Sequence, residues 1–381
     1  MKKKYSSDYF TPEQLSKLKH STPYYLFDRQ VMRDNYDDFK ALLPGVDIHY
    51  AVKSNPHPEV IDALHQHGSG FEIASTHELE ILQKKGVSAN DILYSAPVKQ
   101  LSSILRAYQD GIDRFAFDSS QELGKIAEAA PGSKVYLRVF VTEHGSRFSL
   151  SEKFGAKPTE AVTLMKEALT LGLQPYGLTF HIGSQATSKA TWTYAIRTVC
   201  GVMDDLLECG VKIKMLDIGG GFPVQYTESV PTIEDITTTI KTAIIRYLPY
   251  KTQLVIEPGR ALVATSAVLV SEIFSELKRG RYWWLFIDAG AYNSLFETLE
   301  SQTSMEFNVY HSLLKFDKNK SRHYTITGPT CDSIDTIMKN VVLPSELKVG
   351  DRLYFKDVGA YSIALANSFN GFLPPKAYFI N

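Results

Sequence analysis

The feature that most limits what this chain can become is a rhythm of short apolar runs separated by segments with helical spacing. The runs are Ile48–Val52, Phe71–Ala74, Ile92–Ser95, Arg114–Phe117, Val135–Phe140, Tyr176–His181, Ile213–Ile218 and Gln253–Ile256. Between them, stretches such as Glu59–Leu64 and Ala161–Met165 place apolar residues at the helical period. Strands alternating with helices pair in parallel, because a parallel neighbour needs a long crossover. Eight such units are the number at which the sheet closes. The pattern therefore predicts an α/β fold, a (β/α)8 TIM barrel over residues 31–265, with an open doubly wound sheet as the alternative. Ser75 with Glu78 and Ser119 with Glu122 have the spacing of capping boxes, and Pro158 suits a first helical position. Gly86, Gly111 and Gly210 sit where helices should stop.

After Arg260 the texture changes. Leu262–Ile273, Tyr282–Asp288, His323–Thr327 and Arg352–Lys356 are rich in β-branched and aromatic residues, which predicts a mostly β domain over residues 266–381. A strand-like Thr22–Phe27 suggests that residues 1–30 join it. A net charge of -1 over 381 residues argues against a polyanion-binding surface, so nucleic acid is not expected as a partner. Three cysteines make neither a disulfide framework nor a zinc set, and no metal is expected. The basic start, Met-Lys-Lys-Lys, has no apolar run behind it, and no stretch reaches membrane-span length. The expectation is a soluble cytoplasmic protein without membrane contact.

Barrels carry their chemistry at the carboxyl ends of their strands. Those ends hold Lys53, Ser75, Asp118, His181-Ile-Gly-Ser184, Asp217-Ile-Gly-Gly-Gly-Phe-Pro223 and Glu257-Pro-Gly-Arg260, with Arg138 inside the fifth strand. Lys53 is either a solvated side chain or a desolvated amine of depressed pKa, able to form a Schiff base. The triple glycine is either a tight turn or a backbone cradle aiming N–H groups at a phosphate. Arg260 would complement that phosphate or form a salt bridge. Glu257 would pair with a lysine or with a protonated ring nitrogen, and His181 is a core histidine or a site residue. An amine, a phosphate cradle, a carboxylate and an imidazole are what a phosphorylated aldehyde such as pyridoxal 5′-phosphate (PLP) needs. A cofactor-free lysine aldolase acting on a sugar phosphate needs a similar set.

The motifs themselves resemble the fold-type III PLP decarboxylases of the ornithine, arginine, lysine and diaminopimelate group. The segments are Tyr50-Ala-Val-Lys53-Ser-Asn, Gly70-Phe-Glu-Ile-Ala-Ser75, Phe180-His-Ile-Gly-Ser184, Asp217-Ile-Gly-Gly-Gly-Phe222, Glu257-Pro-Gly-Arg260, Gly328-Pro-Thr-Cys-Asp332, and Gly359-Ala-Tyr361 with Phe369-Asn-Gly371. They run in family order over nearly the whole chain. The resemblance implies an alanine-racemase-like barrel, PLP as cofactor, and a basic amino acid as substrate. By resemblance, Lys53 is the Schiff-base lysine, Glu257 the partner of the pyridine nitrogen, and His181 the stacking imidazole. Glu72 and Arg138 also line the cofactor, and Ser184, Gly220, Gly221, Gly259, Arg260 and Tyr361 form its phosphate set. Cys331 is implied as the proton donor after carbon dioxide leaves. Asp332, with Glu297 or Glu300 and Tyr361, would meet the substrate. Cys331 and Asp332 would serve the partner's site in a head-to-tail homodimer.

Two positions depart from the ornithine pattern: Glu72 replaces an Asp, and Asp288–Glu297 resembles bacterial members more than animal ones. The Cys331-Asp332 pair favours ornithine or lysine. A larger substrate, such as diaminopimelate, carboxynorspermidine or a natural-product intermediate, and a non-catalytic binding relative are the competing readings.

Overall fold

The computed structural model describes residues 10–142, 145–148, 153–299, 305–317 and 319–381; the basic amino terminus and Glu300 lie outside them. A first strand, β1 (Tyr24–Asp28), precedes a helix, Arg29–Leu42. The alternation then begins with β2 (Val46–Ala51), β3 (Gly70–Ile73), β4 (Ile92–Tyr94), β5 (Arg114–Phe117) and β6 (Lys134–Arg138). It continues with a short β7 (Ser146–Phe148), β8 (Gln174–Thr179), a short β9 (Ser184–Ala186), β10 (Met215–Asp217) and β11 (Gln253–Ile256). β7 and β9 pair with each other. The remaining eight of β2–β11 close into a barrel in the order β10-β11-β2-β3-β4-β5-β6-β8. The expected TIM barrel is what forms, each predicted run lying on one barrel strand.

The barrel unit comprises Arg33–Val224 and Val230–Ala261. Leu93, Ala116, Tyr136, Met215 and Val255, from five different strands, pack in one buried cluster, which marks the barrel interior. Strand side chains alternate faces, so the residues two further on, Ser95, Arg138, Asp217 and Glu257, also turn inward, toward the carboxyl-end mouth. That single rule delivers much of the site. Lys53 lies just past β2, in a 3-10 turn at Val52–Ser54, rather than on the strand itself.

The second unit contains residues 10–32, Gln225–Ser229 and Leu262–Asn381. Its spine is β12 (Ala267–Arg279), followed by β13 (Tyr282–Ile287), β14 (Val309–His311), β15 (Ser321–Thr327), β16 (Thr336–Pro344), β17 (Arg352–Lys356) and β18 (Lys376–Ile380). The sheet order is β14-β17-β12-β13-β15-β16, and β1 pairs with both β12 and β18. Phe10, Leu15, Tyr24, Leu26, Val268, Val270 and Tyr354 form its buried cluster.

Three local expectations fail. Leu262–Ser266 is helical, Arg260–Val263 and then a 3-10 turn, because a short apolar run carries no period that separates helix from strand. Glu122 does not close a capping box: Ser119 Oγ caps the Glu122 N–H, but the Glu122 carboxylate meets Lys99 Nζ at 2.8 Å. The buried lysine outcompetes the exposed cap. At Ser75 the hydroxyl caps Glu78 N–H, while Glu78 Oε2 accepts from the neighbouring Ala74 N–H.

Candidate active site

Lys53 Nζ lies 2.5 Å from Glu72 Oε2; the lysine side chain is 40% exposed, the glutamate 2%. Of the two readings the sequence leaves open, the amine is not the desolvated one. It is an accessible ammonium anchored by a buried carboxylate on β3, and the Ala51–Glu72 pairing of β2 with β3 sets the two side by side. Beside it, burial and the Glu72 charge push Glu78 up to about 7.

Glu257, just past β11, is buried. Burial, then the charges of Asp217 and Glu72, hold its carboxyl well above the usual range, with Lys53 and Ser95 opposing. Ser95 Oγ donates to Glu257 Oε1 at 2.5 Å and lies 2.8 Å from Tyr136 OH. Asp217 accepts from Thr179 Oγ1 at 2.8 Å and from Gly219 N–H at 2.9 Å. It also shares a side-chain hydrogen bond with Glu257, and burial pushes it up to about 6. Two carboxyls this close hold one proton between them.

The triple glycine follows β10. A Cβ on Gly219 would lie 2.1 Å from Phe180 O, on Gly220 2.5 Å from Glu257 O, and on Gly221 2.3 Å from Gly183 O. Only glycine lets this turn wedge between the ends of β8 and β11. The Gly219 N–H is committed to Asp217, so an anion would draw on Gly220 and Gly221. Arg260, buried at the start of its helix, donates to Ser184 Oγ at 3.3 Å. A Cβ on Gly259 would lie 3.0 Å from Ser54 Cβ, bringing that loop close to the Lys53 turn. His181 is half-buried; its Nδ1 accepts from Gly183 N–H at 2.9 Å. Burial, then the Arg138 and Lys53 cations, keep its pKa well below the ordinary value, so the ring is neutral. Arg138 also stacks over Phe154 at 5.2 Å. Asp118 instead accepts from Gly155 N–H, holding a loop.

Cys331, Asp332, Tyr361 and Glu297 belong to the β unit. Cys331 is exposed, its Sγ 3.2 Å from Asn370 Oδ1. Tyr292 OH donates to Asp332 Oδ2 at 2.6 Å, which lowers the Asp332 pKa. Tyr292 also packs on Phe369, 4.7 Å between ring centres. Buried Asp335 shapes this loop by accepting from Thr330 Oγ1 and Ala291 N–H. Tyr361 has φ +54, a left-handed backbone rare outside glycine and common at functional positions. Glu297 is buried in a 3-10 turn.

The barrel donor set fits PLP: an accessible amine for the aldehyde, a glycine turn with a buried arginine for the phosphate, and a buried carboxyl for the ring nitrogen. Sequence reasoning gave no role to Ser95 or Tyr136, and it named Asp217 and Asn370 only as members of their motifs. Ser95 closes the third apolar run, and a tally of every strand end would have found it. Among the described residues, no helix is long and apolar enough to cross a membrane, and no group of three or more His, Cys, Asp or Glu could hold a metal.

Comparison with known proteins agrees. Residues 29–264 match the family described as "Pyridoxal-dependent decarboxylase, pyridoxal binding domain". A lysine/ornithine decarboxylase of Selenomonas ruminantium is 33% identical over 360 residues, 94% of this chain and 90% of that one. Among solved structures, the lysine/ornithine decarboxylase of Vibrio vulnificus complexed with putrescine superposes with TM-score 0.88 at 32% identity, over 97% of each chain. The arginine decarboxylase of Paramecium bursaria Chlorella virus bound to agmatine gives TM-score 0.91 at 28% identity, over 97% of this chain and 100% of that one. The chain belongs to the pyridoxal-dependent decarboxylases, lyases that remove carbon dioxide from amino acids with PLP as cofactor.

Proposed function

We propose that the chain decarboxylates a basic L-amino acid, ornithine or lysine, to the corresponding diamine. The observation that carries this reading is the accessible Lys53 ammonium between buried Glu72 and Glu257, beside a glycine turn backed by Arg260. Lys53 would hold the PLP aldehyde, Glu257 its ring nitrogen and His181 its ring face. Gly220, Gly221, Gly259, Ser184, Arg260 and Tyr361 would hold the phosphate, with Glu72 and Arg138 alongside. Bound PLP supplies a sink for the electron pair left when carbon dioxide departs.

The chain's residues do the rest. Glu72 anchors the lysine amine and keeps a charge partner beside it as it moves between protonated and neutral forms. Burial, with the Asp217 and Glu72 charges, favours the protonated form of Glu257, and Lys53 and Ser95 offset this only in part. A cation above it would restore the carboxylate and be held in turn. His181, neutral with its Nδ1 occupied, offers a flat ring without adding charge. The Cys331 thiol, held against the Asn370 oxygen, would return a proton. Asp332, its pKa lowered by Tyr292, matches a terminal cation, an ammonium in lysine and ornithine or a guanidinium in arginine, the amino acids named in those relatives. In this reading the enzyme is a cytoplasmic homodimer, and Cys331 and Asp332 complete the partner's site.

The test is product analysis of PLP-loaded protein given equimolar ornithine, lysine, arginine and diaminopimelate. Putrescine or cadaverine should dominate; activity confined to a substrate that yields no diamine would overturn the assignment. Lys53→Ala should abolish turnover and the near-visible absorbance of cofactor bound through the lysine. Normal turnover by that variant would sink the role of Lys53.

A further inference from the structure

Five strands of the barrel send a polar side chain to one buried point. Tyr136 comes from β6, Ser95 from the end of β4, Glu257 from the end of β11, Asp217 from β10 and Thr179 from β8. With Glu257 as the carboxylate, the form that can pair with a cation, the hydrogen-bond directions in this set follow from counting protons. Ser95 has a single hydroxyl hydrogen, and Glu257 Oε1, 2.5 Å away, takes it. The 2.8 Å contact between Ser95 Oγ and Tyr136 OH is then donated by the tyrosine. Burial and the Glu257 charge keep the Tyr136 phenol protonated, so it never ceases to be a donor. The order is Tyr136 to Ser95 to Glu257, and it runs one way.

We propose that Ser95, aimed by Tyr136, is a positioning residue for Glu257: it fixes one carboxyl oxygen and thereby sets how Glu257 is presented to the cofactor's ring nitrogen. The inference rests on the reading that Glu257 faces that nitrogen. Without the hydroxyl pair, Glu257 would still share its hydrogen bond with Asp217, but nothing from the β4 and β6 side of the barrel would orient it. A donor to a carboxylate also stabilises its charged form, the form that can pair with a cation. The other groups facing Glu257 are Asp217 on β10, Glu72 on β3 and Lys53 past β2; the first two raise its pKa and the third lowers it.

The test uses the full chain with Ser95→Ala, Tyr136→Phe and the double variant. It reads equilibrium PLP affinity of the cofactor-free proteins from about pH 6 to 9, then kcat and KM of the loaded ones. Tyr136→Phe keeps the ring and its packing, so it guards against a variant that fails to fold. Ser95→Ala should bind PLP about tenfold more weakly and lower kcat with KM nearly unchanged, as expected for a lost charge-assisted hydrogen bond. Its pH midpoint for affinity should move upward, because the lost donor had favoured the carboxylate. Tyr136→Phe should act in the same direction by about threefold, and the double variant should match Ser95→Ala, since the phenol acts through the serine. The inference is overturned if Ser95→Ala stays within about twofold of the parent, if its loss is uniform across pH, or if the two single losses simply add. A parent protein that takes up no PLP would instead overturn the functional reading, and the inference with it.

Discussion

Lys99→Met is the sharpest probe of how the fold supports this site. Lys99 is fully buried, and so is its partner Glu122, 2.8 Å away. The ammonium also donates to Ala96 O at 3.0 Å and Ala116 O at 2.6 Å. It thereby ties the segment that follows Ser95 to the end of β5. Methionine fills the volume but removes the Nζ donor from two carbonyls, and it leaves Glu122 with Lys125, 2.5 Å away, and the backbone N–H of residue 99. Breaking a buried pair costs about 3 to 5 kcal/mol; the surviving Lys125 contact argues for about 3. Replacing both partners, Lys99→Met with Glu122→Leu, should recover most of that, since the stranded carboxylate is the main cost. Urea unfolding at neutral pH, with and without PLP, reads the difference as a shift in midpoint. The pH dependence is a second check. Burial lowers Lys99 from 10.5 to about 8, so the folded state holds this proton less tightly than the unfolded chain. The group's contribution is least below pH 8 and grows as pH rises toward 10, and Lys99→Met should lose that growth. A single variant within about 0.5 kcal/mol of the parent, or a double variant no better than the single, would refute the reasoning.

Gly221→Ala should weaken PLP binding at least tenfold: at φ +102, its Cβ would sit 2.3 Å from Gly183 O and force the turn to move. Phosphate competition of PLP uptake measures it, and unchanged affinity would remove the turn from the site. His49, buried against Arg114, is lowered to about 4. Its contribution is intact above pH 6.5 and is lost as pH falls toward 4, by at most about 3 kcal/mol. His49→Asn should flatten that part of the acid unfolding curve; an unchanged curve would exclude it as the source. Tyr292→Phe removes the donor that keeps Asp332 anionic and should raise KM for a diamine-forming substrate about threefold at constant kcat. A fall in kcat alone would contradict a binding role.

What could be read from the sequence follows the range of each interaction. The eight barrel strands were legible because each is buried on both faces and so is a short apolar run bounded by helix caps. Lys53, His181, Glu257 and the glycines were legible because reactive residues at strand ends carry their own chemical signal. Ser95 was not. A serine closing an apolar run is unremarkable until Glu257, 162 residues away, is placed against it. Glu122 misled for the same reason, since its cap spacing is local and Lys99 lies 23 residues off. β16 escaped notice because much of it is exposed, which dilutes the apolar alternation that marks a half-buried strand.

The cluster at the barrel mouth also explains a tension between stability and function. Glu72, Asp217 and Glu257 arrive from three strands at one low-dielectric place, where Lys53 is the cation that opposes them. Burial, with the Glu72 charge added, pushes Asp217 up to about 6. A raised carboxyl costs stability above its folded pKa, and the cost eases as pH falls toward 4. A barrel selected for stability alone would replace at least one of the three with an apolar residue. Retaining them keeps a site that gains when a proton or a cation enters, and a ring nitrogen that must stay protonated is such a cation. On the proposed reading, the unfavourable charge at the mouth would favour holding the cofactor's ring, and Ser95 would direct that preference to one carboxyl.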